Sequence, residues 1–367
     1  MADYKKYQSD GVSAEDKALD KFAELMIEKI ESLKNSDSWK QPWFTEGSLR
    51  WPRNLSGREY NGMNALLLMM LCEKQNYKLP VFCTFNRAVG LNYTTDKQGA
   101  KKPITDADGQ PLPRVGINKG EKSFPVMLTT FTVVDKDTKE KINYEDYKRL
   151  SNDEKAQYNV YPKLNVYQVF NVDQTNLKEA RPDLYAKLES ENKLQRPFSG
   201  EGESFKFPAM DAMIAENKWI CPINLVHQDN AYFSISKNQI TLPEKSQFKD
   251  GESFYGTAFH EMTHSTGTAE MFNRFNPESG FGSAEYAKEE LVAELGSALV
   301  AQRYGMTKNL KDDSAVYMKS WLDSLKESPS FIKTTLMDVK RATSVITQRI
   351  DEVALELEAK QLSLIHI

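Results

Sequence analysis

The stretch Phe259-His260-Glu261-Met262-Thr263-His264 determines how the rest of the chain is interpreted. On an α-helix, residues four positions apart lie one turn above each other, so His260 and His264 project from the same face. Two imidazoles in this arrangement bind one Zn²⁺, and Glu261 lies beside the same space. Because the 367-residue chain contains 4 His, such a match by chance is improbable. The stretch therefore predicts a zinc site on a helix.

A zinc hydrolase needs a third protein ligand and leaves a further position to water. The helix predicted over residues 284–304 offers three glutamates for this role. Glu290 and Glu294 share one face, which suits a metal ligand and a second carboxylate that orients a ligand imidazole. We therefore predict Glu290 as the third ligand, Glu294 as the orienting group and Glu289 as a solvent-facing residue. Glu270 and Glu289 are the alternative third ligands.

These residues together predict hydrolysis of peptide bonds. Zinc lowers the pKa of its bound water toward 7, Glu261 accepts the proton, and the hydroxide adds to an amide carbonyl. Tyr232 and Tyr255 carry hydroxyls of the kind that stabilise an oxyanion. The chain has 16 Tyr, however, so packing is the simpler interpretation of both. An extended peptide is expected to pair with the strand region at 231–242.

Composition and cysteine usage predict a globular protein of the cytoplasm. Hydrophobic residues make up 40% and charged residues 27% of the chain, as in ordinary globular domains. The longest apolar run, at 65–72, is too short to span a bilayer, and the first residues contain no apolar stretch of signal-peptide type. We therefore expect no membrane partner. The three cysteines form no C-x-x-C pair, which argues against a disulfide framework and a thiolate zinc site; they are Cys72, Cys83 and Cys221.

Hydrophobic periodicity predicts an α+β fold. Helical patterns occur at 14–34, 64–73, 208–216, 254–266, 284–304, 314–327 and 331–360. Strand patterns occur at 80–85, 126–134, 166–172, 231–235 and 239–242. These patterns predict a small N-terminal α+β domain over residues 1–175. A mainly helical domain with a small sheet is expected over residues 176–367.

The front half of the chain alternates aromatic and basic side chains. Between Trp39 and Pro125 there are 13 Lys and Arg against 7 Asp and Glu, and such an asymmetry fits a polyanionic partner. Aromatic rings stack on unpaired bases while cations meet phosphates, so the pattern predicts a single-stranded nucleic-acid site. The alternative is that the tryptophans are core residues. The aromatics are Trp39, Trp43, Trp51, Tyr60 and Tyr93, and the cations are Lys40, Arg50, Arg53, Arg58, Lys119 and Lys122.

The ordered motifs of the chain resemble the ArdC-type antirestriction proteins of conjugative plasmids and related mobile elements. The front-half motifs are Pro42-Trp43, Pro52-x-Asn54-x-x-Gly57-x-x-Tyr60-x-Gly62-x-Asn64, Thr84-Phe85 and Lys119-Gly120-Glu121-Lys122. The middle motif is Val169-Phe170-Asn171-Val172-x-Gln174. The back-half motifs are Ile240-x-Leu242-Pro243, His260-Glu261-x-x-His264-x-Thr266-Gly267 and Phe281-Gly282-x-x-x-Tyr286-Ala287-x-Glu289-Glu290-Leu291-x-Ala293-Glu294-Leu295. The chain departs from the family by longer stretches at 93–115 and 136–163 and by Thr268.

This resemblance implies an N-terminal single-stranded-DNA-binding domain and a C-terminal zincin-like metallopeptidase domain. It adds Asn54 and Asn64 to the predicted DNA-binding residues. It also implies protection of incoming DNA from host restriction and passage of the protein into the recipient cell with that DNA. Two alternatives stay open: a DNA-binding protective protein whose zincin domain cleaves nothing, and a peptidase whose front half does not bind DNA.

Overall fold

The computed structural model describes residues 13–34, 51–96, 98–192, 199, 205–275, 283–306, 317–327 and 329–365. Four predicted DNA-binding residues lie outside this described part of the chain, namely Trp39, Lys40, Trp43 and Arg50. The described residues form an α+β fold with an antiparallel ribbon in the front half and a helical back half. The predicted fold class is therefore confirmed.

The front half is organised around a five-stranded sheet with the strand order β1-β2-β7-β5-β6. Strands β5 and β7 pair antiparallel without interruption from Phe124 opposite Val169 to Asp135 opposite Tyr158. Strands β3 and β4 pair with each other in a small separate hairpin. The strands of this half are β1 (Arg53–Asn54), β2 (Val81–Cys83), β3 (Tyr93–Thr95), β4 (Lys101–Pro103), β5 (Phe124–Asp135), β6 (Lys141–Ile142) and β7 (Tyr158–Asn171).

Local capping signals in the sequence position several helices of the front half. Ser151 and Glu154 form the reciprocal hydrogen bonds of a capping box at the start of α5, which a Ser-x-x-Glu spacing favours. Thr84 caps α3 by accepting a hydrogen bond from the Arg87 backbone amide. The helices are α1 (Ala14–Lys34), α2 (Met63–Gln75), α3 (Phe85–Gly90), α4 (Tyr144–Arg149), α5 (Asn152–Lys155), α6 (Leu177–Ala180) and α7 (Pro182–Glu191).

The back half combines a three-stranded sheet with long helices. Strand β10 lies in the middle, parallel to β8 and antiparallel to β9. Strand β8 has no counterpart among the sequence patterns, because its residues show no clear alternation and three of them are exposed. The elements are α8 (Pro208–Ala215), β8 (Ile223–Val226), β9 (Tyr232–Ser234), β10 (Gln239–Pro243), α9 (Gly251–Ser265), α10 (Ala284–Arg303), α11 (Met318–Glu327) and α12 (Pro329–Ile365).

The largest apolar cluster of the described residues contains side chains from both halves of the chain. Phe22 of α1 and Leu66 of α2 are fully buried in it together with Leu291 of α10, Trp321 of α11 and Leu336 of α12. These side chains exclude water from one common apolar cluster, so the two halves of the chain share a core. The domain boundary at residue 175 stays a prediction.

Candidate metal centre

Helix α9 holds the predicted zinc motif and is fixed at its beginning. Asp250 caps the helix by accepting a hydrogen bond from the Ser253 backbone amide at 2.6 Å. Phe254, Phe259 and Met262 anchor the helix in an apolar cluster with the strands of the back-half sheet. Burial of this apolar face leaves the opposite face, with both motif histidines, turned toward α10.

Helices α9 and α10 approach closely because Gly296 has no side chain. A Cβ atom at Gly296 would lie 2.8 Å from Cγ2 of Thr263, closer than such atoms pack. The Thr263 side chain therefore occupies the space that a larger residue would fill. This close approach brings the glutamates of α10 within reach of the α9 histidines.

Three side chains with potential ligand atoms converge between α9 and α10. Nε2 of His260 lies 3.1 Å from Nε2 of His264. Oε2 of Glu290 is 3.5 Å from the first nitrogen, and Oε1 of Glu290 is 3.6 Å from the second. Among the described residues, these three form the one group of His, Cys, Asp and Glu with metal-ligand geometry.

The spacing of these atoms fits a tetrahedral divalent cation. Ligands about 2.0–2.1 Å from zinc in tetrahedral geometry lie about 3.3 Å from one another. The observed separations of 3.1, 3.5 and 3.6 Å bracket this value. Two imidazole nitrogens and a carboxylate are also ligands that zinc prefers. The residues present therefore fit the metal that the sequence predicts.

Each histidine meets a further carboxylate at its other ring nitrogen. Nδ1 of His260 lies 3.4 Å from Oε1 of Glu294, whose side chain is fully buried. Nδ1 of His264 lies 3.1 Å from Oε1 of Glu289. Such carboxylates orient metal-ligating imidazoles and select the tautomer that leaves Nε2 for the metal.

The prediction that Glu289 faces solvent is wrong. Glu289 is 9% exposed, and Arg274 from the segment that follows α9 covers its carboxylate. Helical spacing correctly places Glu289 away from the face of Glu290. That spacing does not reveal Arg274, which comes from another part of the chain and covers the carboxylate.

The electrostatics of the site favour ionised carboxylates beside a basic imidazole. Burial raises the pKa of Glu290, but hydrogen bonding to His260 and the positive charge of His264 outweigh it and hold this pKa below its usual range. Burial lowers the pKa of His264, yet its hydrogen bond to Glu289 and the nearby Glu290 raise it overall. The cluster therefore presents the negative charge that a divalent cation requires.

Tyr286 is a site residue that the zinc-motif reasoning missed. It precedes Glu290 by one helical turn and hydrogen-bonds to its carboxylate. Burial and the charge of Glu290 raise the pKa of the Tyr286 hydroxyl above its usual range, so the hydroxyl keeps its proton and donates it. The four-residue spacing along a helix was the available signal.

The remaining candidates of the back half lie in contrasting environments. Glu261 is 2% exposed, on α9 between the two histidines. Glu270 is exposed and does not belong to the group with ligand geometry. Tyr255 is buried, with its hydroxyl donating to Asp211 and accepting from Lys245. Tyr232 is 45% exposed on β9.

Many of the predicted DNA-binding residues make contacts within the protein. Trp51 donates its indole hydrogen to the Tyr60 carbonyl and lies under the Arg303 guanidinium. The Asn54 side chain accepts hydrogen bonds from two backbone amides of its own turn. Asn64 both donates to and accepts from the Met127 backbone. These contacts hold the front half together, and the DNA role of these residues stays a prediction.

The basic candidates differ in their exposure. Arg53 is paired with Glu191 at 2.8 Å and is mostly buried. Arg58, Lys119 and Lys122 are exposed. Gly120 adopts a positive φ of 91° in a tight turn, with Lys119 directly before it and Lys122 two positions after it. The exposed cations are therefore available to a polyanion.

Helices of the described residues show no segment long and apolar enough to cross a membrane.

The fold and the candidate metal centre indicate a zincin-like metallopeptidase domain. Residues 208–336 match the family described as zincin-like metallopeptidase, and residues 16–170 match the N-terminal domain of anti-restriction factor ArdC. The chain therefore carries an ArdC-type N-terminal domain followed by a zincin-like metallopeptidase domain, the two domains that its resemblance to the ArdC-type antirestriction proteins implies.

Two solved structures have the same fold. The metal-free antirestriction protein ArdC from plasmid R388 superposes with a TM-score of 0.60 and 22% identity, over 91% of this chain and 98% of that one. Its Mn(II)-bound form gives the same TM-score and identity over 90% of this chain and 97% of that one. The match extends through both halves of the chain.

Curated relatives include two much longer proteins. Two Escherichia coli proteins named DNA primase TraC are 29% and 25% identical over 93% and 94% of this chain. The chain spans 20% and 27% of their lengths. An uncharacterised protein, y4eC, of Sinorhizobium fredii is 33% identical over 28% of this chain and 34% of its own length.

Proposed function

We propose that this protein binds single-stranded DNA through its front half and hydrolyses peptide bonds at a zinc centre in its back half. Such a protein would protect the DNA of a mobile element from restriction in the bacterial cytoplasm, including that of a recipient cell. The observation that carries the proposal is the convergence of His260, His264 and Glu290, with Glu261 on the same helix. The likeness to ArdC supports the antirestriction role.

The proposed chemistry assigns a separate task to each residue of the centre. His260, His264 and Glu290 would hold Zn²⁺, which supplies Lewis-acid activation of water when bound. Glu261 accepts a proton from the attacking water and delivers it to the leaving amine. Glu294 holds the His260 ring in orientation, and burial of the cluster limits competition from bulk water.

A peptide substrate is proposed to lie along β9. This strand stands at the edge of the back-half sheet, next to β10 and packed beside α9. An edge strand offers unpaired backbone groups to an extended peptide. Phe233 of β9 stacks with Phe275 at a centroid distance of 6.1 Å, close to the end of α9. This pair gives the proposed cleft an apolar wall.

Replacing Glu261 by glutamine tests the peptidase part of the proposal. We expect Glu261→Gln to retain the zinc content of the wild type, because its three ligands are unchanged. Hydrolysis of labelled, denatured casein should fall at least 100-fold, the lower range of what a general base contributes. Zinc content by elemental analysis and fluorescence release are the measurements. Metal binding by a wild type that cleaves neither casein nor a panel of folded proteins would favour the non-proteolytic alternative.

Reversing two exposed charges tests the DNA part. The double variant Lys119→Glu/Lys122→Glu should bind a single-stranded oligonucleotide more weakly. The dependence of log affinity on log salt concentration should also become less steep, by about 1 in slope for each phosphate that the variant no longer neutralises. The measurement is fluorescence anisotropy at several salt concentrations.

A second double variant controls for the change in net charge. Lys237→Glu/Lys249→Glu replaces two exposed lysines of the back half and changes the net charge by the same amount as the front-half double variant. If both double variants weaken binding equally, the front-half site is refuted and only net charge matters.

A further inference from the structure

We propose that Arg274 is a positioning residue of the metal centre, which holds Glu289 in the orientation that directs Nε2 of His264 to the metal. This inference rests on the proposed metal binding. It assigns a role to a residue that no metal motif includes, since Arg274 lies ten residues after His264 in the segment that follows α9.

Arg274 grips the Glu289 carboxylate with two parallel hydrogen bonds. Its Nε donates to Oε2 at 2.8 Å and its Nη2 donates to Oε1 at 2.8 Å. This two-point contact fixes both the position and the plane of the carboxylate, which a single ammonium group does not achieve. The side chains are 5% and 11% exposed, so water competes little for either partner.

The same guanidinium is tied to the end of the metal helix. Nη1 donates to the Thr266 hydroxyl at 2.9 Å, and Nη2 also donates to the Thr263 carbonyl at 2.8 Å. Arg274 thereby spans from α9 to Glu289 on α10. The planar guanidinium of Arg274, and not α10 alone, therefore sets the position of Glu289 relative to His264.

The arrangement selects one tautomer of His264. An ionised carboxylate accepts hydrogen bonds and donates none. Because both oxygens of Glu289 already accept from Arg274, the contact with Nδ1 of His264 at 3.1 Å requires the proton on that nitrogen. Nε2 then presents its lone pair toward Nε2 of His260 and toward Glu290, where the metal would lie.

Two opposing effects of Arg274 on metal affinity are separable by experiment. Its positive charge repels a cation, whereas its hydrogen bonds orient a ligand for that cation. Outer partners of metal-bound histidines contribute about 10–100-fold to metal affinity. The variant Arg274→Lys keeps the charge but cannot form the two parallel hydrogen bonds, so it isolates orientation.

We expect Arg274→Lys to bind zinc about 10–100-fold more weakly than the wild type, measured by competition with a chromophoric chelator. Glu289→Gln should show a similar loss. The double variant should lose no more than Glu289→Gln alone, because Arg274 acts through Glu289. In ¹⁵N spectra of histidine-labelled, metal-free protein, recorded at a pH at which the His264 ring is neutral, the wild type should show the Nδ1-protonated tautomer of His264. Arg274→Lys should show a mixture of tautomers.

Arg349→Lys is the matched control. Arg349 also donates to a backbone carbonyl, that of Lys218, and pairs with a glutamate, Glu352, but on α12. It should keep wild-type zinc affinity, and an equal loss in this control would refute a role specific to Arg274. Equal zinc affinity of Arg274→Lys and wild type, or additive losses in the double variant, would overturn the inference while leaving the proposed function intact. A wild type that binds no zinc would refute the proposed function itself.

Discussion

Adding zinc to the metal-free protein is expected to stabilise it, and His264→Ala is expected to abolish that stabilisation. A ligand that binds only the folded state adds about 2.7 kcal/mol to the free energy of unfolding when its free concentration is 100 times its dissociation constant. Nε2 of His264 is a potential ligand atom, at 3.1 Å from Nε2 of His260 and 3.6 Å from Oε1 of Glu290. Loss of this nitrogen leaves two ligands, too few for a stable zinc centre.

The measurement is denaturant unfolding of each protein with and without zinc. The quantity compared is the zinc-induced increment, because removing a buried imidazole also changes the stability of the metal-free state. His227→Ala is the control, since the His227 side chain is 80% exposed and lies outside the metal centre. An increment of wild-type size in His264→Ala would show that the metal binds elsewhere.

Trp321→Ala is expected to lower the free energy of unfolding by about 3–5 kcal/mol, a large share of the 5–15 kcal/mol typical of folded proteins. Trp321 is fully buried in the cluster that contains residues of both halves. Its indole nitrogen donates to the Ala287 carbonyl at 2.6 Å, at the beginning of the helix that carries Glu290. Truncation therefore leaves a cavity between α10 and α11 and removes this hydrogen bond.

Urea unfolding of the metal-free protein measures this effect. Met337→Ala on the neighbouring helix α12 is the control, because Met337 is 41% exposed; surface substitutions of this kind usually change stability by less than about 0.5 kcal/mol. Because the cluster joins both halves, we also expect Trp321→Ala to lower the stability of the front half. Unchanged unfolding of the front half would show that the shared core does not couple the halves.

Much of the candidate site was accessible from the sequence because it depends on helical periodicity. The four-residue spacing places His260 and His264 on one face, and the same spacing places Glu290 and Glu294 on one face of α10. The structure brings His260, His264 and Glu290 together and places Glu294 at 3.4 Å from His260. Their roles as metal ligands and as an orienting group are proposed from this geometry.

The front half was harder to interpret from its sequence. Trp51, Asn54 and Asn64 belong to an aromatic and polar pattern that suits nucleic acid as well as it suits packing. The hydrogen bonds of Asn64 depend on a partner distant along the chain, Met127, whereas those of Asn54 stay within its own turn. Exposure, which separates Arg58, Lys119 and Lys122 from these residues, depends on what the rest of the chain covers.

The sequence by itself determined helices α1, α2 and α8 to α12, the α+β class and the glutamates facing the zinc motif, because each depends on local spacing or on an ordered set of motifs. Only the tertiary structure decided the environment of Glu289, the contact of Arg274 with it, and the core shared by both halves. The physical reason is that burial depends on side chains contributed by distant segments. The close approach of Gly296 to Thr263, which brings α10 within reach of both histidines, is likewise visible only once the helices pack.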